Sequence, residues 1–161
     1  MLIHVKTIVD EDFVNYKTPS MYIAFPTCTF KCEKECNFKV KCHNSLISRL
    51  PTITVDTLSI VKRFNENPIT KALVIGGLEA FDSFEFLLGL ISDFRSSTNA
   101  DIVIYTGYNK SEIIDQINQL SQYPNIIVKF GRFVPDQIPH VDKILGVSLA
   151  SDNQYAEIIS K

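Results

Sequence analysis

All four cysteines of this 161-residue chain stand in one 15-residue window: Cys28, Cys32, Cys36 and Cys42. No other feature limits the fold and its chemistry as strongly. A disulfide framework staples segments that are distant in sequence, and it belongs to oxidising compartments. Four thiols this close together point instead to a metal or cluster site. Thiolates are soft ligands that suit zinc and iron–sulfur clusters. Zinc modules place two ligand pairs well apart, each pair closely spaced. Here the first gap is three residues, and no second pair follows elsewhere. A loop of three or four close cysteines wraps one corner of a cubane cluster better than it spans a zinc module. The bland alternatives are a structural zinc knot or idle thiols.

A chain of this length is expected to form a single domain over residues 1–161, with the cluster-binding loop at 26–44. It buries enough surface to need no metal merely to hold its core. The net charge is −2, from 16 basic and 18 acidic residues. That argues against a broad nucleic-acid surface. No stretch approaches 18 consecutive apolar residues, so no membrane span is expected. The first 13 residues include Asp10, Glu11 and Asp12 and lack the basic-then-apolar layout of a signal peptide. A cytoplasmic location is the expectation.

Strand-like and helix-like patterns alternate along the chain. Leu2 to Val9 reads as β-rich, and Met21 to Phe25 as a short apolar strand between Pro19 and Pro26. A helix is expected from Thr54, as N-cap, through Leu58, Val61 and Phe64, closed by Asn67-Pro68. Lys71 to Ile75 is a buried-type strand ending at Gly76-Gly77. Asp82 and Glu85 have capping-box spacing ahead of a helix through Phe84, Leu87, Leu88, Ile91 and Phe94. Asp101 to Tyr105 is the next strand, and Ile113, Ile114, Ile117 and Leu120 mark another helix. Asn125 to Val128 is a further strand. Lys143 to Leu149 reads as the last one, before a polar tail. This alternation implies βαβ units and a mostly parallel sheet, which places ligands at the strands' C-terminal ends. The cysteines after Phe25, Gly76-Gly77 after Ile75 and Thr106-Gly107 after Tyr105 all fall there.

Taken singly, the other segments stay ambiguous. Gly76-Gly77 is a tight turn as readily as a ligand contact. Glu79 is a solvated loop charge as readily as a cofactor residue. Tyr105 and Thr106 fit core packing plus a turn. Lys31, Lys34, Lys39 and Lys41 make the cysteine loop locally basic, which is ordinarily a solvated face. Asn153-Gln154 lies where frayed tails are common.

Read together, these segments resemble a known family. Cys28-x3-Cys32 followed by Cys42-His43-Asn44 resembles the C-x3-C-x2-C motif of radical S-adenosylmethionine enzymes, whose third cysteine often precedes His-Asn in glycyl-radical activases. Gly76-Gly77-Leu78-Glu79 is similar to the family's Gly-Gly-Glu element. Tyr105-Thr106-Gly107-Tyr108, Phe130-Gly131-Arg132-Phe133 and Ser151-Asp152-Asn153-Gln154 resemble, in the same order, segments of the activating proteins of anaerobic (class III) ribonucleotide reductases. The departures are plain. Nine residues separate Cys32 from Cys42 where the family has two. Cys36 is therefore an alternative third ligand. Lys41 stands where an aromatic is usual, with Phe38 as a possible substitute. Leu78 interrupts Gly-Gly-Glu, and Phe130 replaces an Asp.

The resemblance implies a shortened, open (β/α) partial TIM barrel. It implies that Cys28, Cys32 and Cys42 hold a [4Fe–4S] cluster whose fourth iron binds S-adenosylmethionine. It places Lys41, His43, Asn44, Gly76, Gly77, Glu79, Tyr105 and Thr106 around that cofactor. No side chain need act as a general acid or base, because the cofactors carry the chemistry. The implied partners are the large subunit of an anaerobic ribonucleotide reductase, which receives a glycyl radical, and a flavodoxin or ferredoxin-type electron donor facing the basic loop. Two alternatives stand beside this reading. One is an activase for another glycyl-radical enzyme such as pyruvate formate-lyase. The other is a non-enzymatic zinc-binding α/β adaptor. A Rossmann dinucleotide site is more distant, since the chain has no G-x-G-x-x-G.

Overall fold

The computed structural model describes residues 1–37 and 42–160. The chain begins with β1 (Leu2–Val5), β2 (Thr7–Asp12) and β3 (Ser20–Phe25). Two short helices follow, α1 (Lys31–Glu35) and α2 (Ser45–Ser48). Next come β4 (Ile53–Asp56), α3 (Thr57–Glu66), β5 (Ala72–Gly77), α4 (Phe84–Arg95), β6 (Asp101–Tyr105), α5 (Ile114–Leu120) and β7 (Ile126–Phe130). The short strands β8 (His140–Val141) and β9 (Ser148–Leu149) precede β10 (Tyr155–Ile158). Single 3₁₀ turns at Ala80–Ser83 and Lys110–Glu112 lead toward α4 and α5.

Six strands form one sheet in the order β10-β7-β6-β5-β3-β2. Its centre, β3, β5, β6 and β7, is parallel, and the strands at both ends run antiparallel. The class is thus mixed α/β with a mostly parallel sheet. Register explains the apolar runs. Ile23, Ile75, Ile104 and Val128 stand opposite one another across four strands and form one buried row. That row packs beneath Ile60, Val61 and Phe64 of α3, Leu87, Leu90, Ile91 and Phe94 of α4, and Ile117 and Leu120 of α5. The alternate row, Val74, Val103 and Ile127, faces the other way, against Tyr16, Leu145, Leu149 and Ala156. Both faces are covered, so these strands are apolar throughout rather than alternating.

The central strands lie side by side in chain order, with the helices on one face. Strand order does not reverse between neighbours, so the described residues form no switch-point crevice of the dinucleotide-binding kind. Phe25, Gly77, Tyr105 and Phe130 all end at the same edge.

Several local expectations are corrected. Leu2 to Val9 is two strands, because β1 leaves the main sheet to pair with β4. That pairing carries Thr54 into a strand, so the helix starts at Thr57 with Asp56 at its N-cap. Asp82 closes no capping box. Ser83 is the N-cap of α4, and the Asp82 carboxylate instead accepts from the Thr29 N–H at 2.9 Å and the Tyr108 hydroxyl at 2.6 Å. A capping box does occur at Asn109 and Glu112. Of Lys143 to Leu149, only Ser148–Leu149 is strand, and the last strand of the sheet lies in the supposed polar tail as β10. No helix of the described residues is long and apolar enough to cross a membrane.

Candidate metal centre

The edge where the parallel strands end opens into a cavity of about 290 Å³. Cys28, Cys32, Cys36 and Cys42 all line it, each partly buried and each a free thiol. So do His43, Asn44, Gly76, Gly77, Glu79, Tyr105 and Thr106. Topology thus gathers the residues marked in the sequence at one place. Lys41 and Phe38 lie outside the described residues.

The cysteine segment is held from several sides. Phe30 takes a φ of +53°, which bulky residues avoid, and its N–H donates to Cys28 Sγ at 3.2 Å. The Asn44 N–H donates to Cys42 Sγ at 3.4 Å. Glu33 on α1 accepts the Cys42 N–H at 2.7 Å, tying the late cysteine back to the helix that carries Cys32. Burial pushes the Cys28 thiol up to about 12. Burial also raises Cys32, helped by the neighbouring Cys42 and opposed by the Phe133 N–H, Arg132 and Lys129.

Charge and polarity around the thiols come from the strand ends. Glu79 is buried, not a solvated loop charge. Its Oε1 accepts from Thr106 Oγ1 at 2.8 Å and the Phe81 N–H at 3.2 Å, and Oε2 accepts from the Gly107 N–H at 2.9 Å. These bonds lock the loop after β5 to the loop after β6. Burial nevertheless pushes Glu79 up to about 7. Asn44 donates its side-chain amide to the Gly77 carbonyl, joining the cysteine segment to β5. His43 packs its ring 4.2 Å from that of Phe133.

Gly77 lines the cavity and also meets a packing requirement. Its φ is +82°, and a Cβ there would lie 2.5 Å from Ala24 Cβ on β3, inside the protein. At Gly76 a Cβ would meet the Tyr22 ring at 3.2 Å. Both glycines let strands and tyrosines close up beside the cavity.

Lys129 and Glu112 carried no signal in the sequence, and Arg132 was marked only as part of the Phe130–Phe133 segment. Lys129 is buried, lines the cavity and donates to the Gly131 carbonyl at 2.8 Å, and burial lowers it to about 8. Arg132, with its side chain only 8% exposed, makes two 2.7 Å bonds to Glu112 and a 3.2 Å ion pair to Glu35 on α1. Glu112 also faces Lys31 at 3.7 Å, and Lys31 lies over the Tyr108 ring. Lys31 is therefore paired with Glu112 while still partly exposed. A charged residue in a strand that reads as apolar gives no periodicity to detect; only the register shows where it points. The C-terminal segment is ordered too. Asn153 Nδ2 donates to the Arg132 carbonyl and Gln154 Nε2 to the Gly131 carbonyl, so the tail becomes a wall of the cavity.

A family model described as a 4Fe-4S single cluster domain matches residues 20–154. The chain belongs to this family. No curated protein and no solved structure matches it.

The residues fit a [4Fe–4S] cluster by the chemistry of their donors. Four soft thiols line one volume, two of them with an N–H aimed at sulfur, and two buried cations would offset the negative charge of thiolates and cluster. Among the described residues, no three Cys, His, Asp or Glu side chains gather as the site of a single metal ion. The 4Fe-4S domain is compatible with oxidoreductase chemistry.

Proposed function

We propose that this 4Fe-4S domain is a radical S-adenosylmethionine activating enzyme. One observation carries the reading. The four thiols share a single cavity with the loops that follow β5, β6 and β7, so cluster ligands and an organic-ligand surface face the same space. Cys28, Cys32 and Cys42, the first and last with an N–H donor on sulfur, are the cluster ligands in this reading. A reduced cluster, when bound, supplies the electron that splits the sulfonium carbon–sulfur bond into methionine and a 5′-deoxyadenosyl radical.

The chain's own residues orient and shield. The Lys129 ammonium, with the Gly131 carbonyl as its partner, offers positive charge to the substrate carboxylate. Glu79 holds Thr106 and Gly107 in place as a wall of the pocket. Tyr22 and Tyr105 close the side beneath Gly76. His43 and Asn44 follow Cys42 on the rim. In this reading a glycine Cα of the partner would be the hydrogen-atom donor, and the partner would be left with a glycyl radical. The Tyr105–Tyr108 and Ser151–Gln154 segments favour the large subunit of anaerobic ribonucleotide reductase as that partner, with a flavodoxin or ferredoxin-type protein as electron donor. The unreversed strand order with helices on one face is the connectivity of a barrel, so the reading includes a sheet curved as a shortened, open (β/α) barrel.

The test is anaerobic reconstitution followed by reduction with S-adenosylmethionine present. The protein should be brown and contain iron and sulfide. It should release 5′-deoxyadenosine, and it should produce a glycyl-radical EPR signal only when the reductase subunit is added. A colourless protein holding one zinc, or a loaded cluster that releases no 5′-deoxyadenosine, overturns the proposal.

A further inference from the structure

We propose that Cys36 is a fourth protein ligand of the cluster, in place whenever no small molecule occupies the cavity. The assignment rests on the 4Fe-4S family and the geometry of the site, and not on the S-adenosylmethionine reading. Cys36 caps α1, and its N–H still bonds the Cys32 carbonyl at 3.3 Å, so the helical track runs through it. Residues four apart on a helix share a face. Cys32 and Cys36 therefore point the same way, one turn apart, and both line the cavity that Cys28 and Cys42 line. α1 and its C-cap thus carry two of the four thiols and, through Glu33, fix the backbone of a third. A spare thiol would need no such alignment.

Charge supports the same assignment. A fourth thiolate makes the site more negative by one unit. Lys129 and Arg132, both buried, already stand beside the thiols as positive charges. Arg132 also reaches Glu35, the residue before Cys36, and so holds the end of α1 against the sheet. Four thiolates saturate a cubane, so a ligand that binds iron must displace one of them. Cys36, at the helix end, is the one that leaves. On displacement its sulfur gives up iron and takes a proton from solvent, and no electron is transferred.

The experiment uses the full chain, reconstituted anaerobically and treated with iodoacetamide, with each cysteine followed by peptide mass spectrometry. Cys36 should react at least about tenfold more slowly than in iron-free protein, as Cys28, Cys32 and Cys42 should. Reaction of Cys36 at its iron-free rate, while the other three stay protected, overturns the assignment. A second readout is the EPR spectrum of the reduced cluster without added ligand. It should differ between wild type and Cys36→Ala, and identical spectra count against the proposal. Added S-adenosylmethionine should restore Cys36 reactivity. If Cys36 stays protected and no 5′-deoxyadenosine forms, the function proposed above fails while the four-thiolate assignment stands.

Discussion

Replacing Gly77 by alanine should damage the fold before it touches any chemistry. Two costs add. The residue sits at φ +82°, where a side chain costs about 1–2 kcal/mol. The new Cβ would also lie 2.5 Å from Ala24 Cβ and 2.7 Å from Ala24 Cα, and β3 is fully buried at that point. Backbone cannot swing aside as a side-chain end can, so overpacking adds about 1–3 kcal/mol. The sum, about 2–5 kcal/mol, is a large part of the roughly 5–15 kcal/mol that holds a domain together. Equilibrium urea unfolding of iron-free protein, followed by far-UV circular dichroism, measures it. With a slope of about 1–3 kcal/mol per molar, the midpoint should fall by about 0.7 M or more. Gly107→Ala is the control. Its Cβ would meet Cys32 Sγ at 3.4 Å and Glu79 Oε2 at 3.7 Å, ordinary contacts beside the thiols. It should stay within about 1 kcal/mol of wild type. If Gly77→Ala also unfolds within about 0.5 kcal/mol of wild type, the steric argument is wrong.

Four further outcomes are expected. Glu79→Ala should cost about 2 kcal/mol or more in the same assay, because Thr106 Oγ1 and the Phe81 N–H lose a buried acceptor. Glu112→Gln should show an acid-dependent difference. Its pairing with Arg132 holds the Glu112 carboxyl down to about 2, from an ordinary 4.5. A depressed acid stabilises the fold above its ordinary pKa and loses that contribution as pH falls. The stability gap between wild type and Glu112→Gln should therefore narrow between pH 4.5 and about 2, and a constant gap would refute the pairing. Lys129→Met should leave stability equal or higher, since a buried ammonium is costly, yet weaken S-adenosylmethionine binding about tenfold or more by equilibrium dialysis. Single Ser replacements of Cys28, Cys32 or Cys42 should each lower bound iron after reconstitution, measured against sulfide, with far-UV circular dichroism unchanged.

Much of the site was legible because it is written in short local signals. Clustered thiols need no tertiary knowledge to be recognised as soft ligands. KALVI and DIVIY are too apolar to be anything but buried, and each ends at glycine or threonine-glycine. That was enough to anticipate a mostly parallel sheet with its chemistry at one edge. Signals that depend on a distant partner failed. Thr54 has the right chemistry for an N-cap, but pairing of β4 with β1 claims it for a strand. Asp82 has capping-box spacing, yet Thr29 and Tyr108 compete for its carboxylate and win. Tyr155–Ile158 looked like a tail because its partner strand, β7, lies some 25 residues earlier.

By itself the sequence determined the donor chemistry, the strand and helix alternation, and the end of the sheet at which the thiols and the strand-end loops gather. These follow from residue type and spacing along the chain. Only the tertiary structure decided which charges face the thiols. Parallel register aims Lys129 and Arg132 from the end of β7 toward Cys32, buries Glu79 between two strand-end loops, and turns Gly77 into a packing requirement against Ala24. Those contacts join residues tens of positions apart, and burial, not identity, sets the strength of each charge.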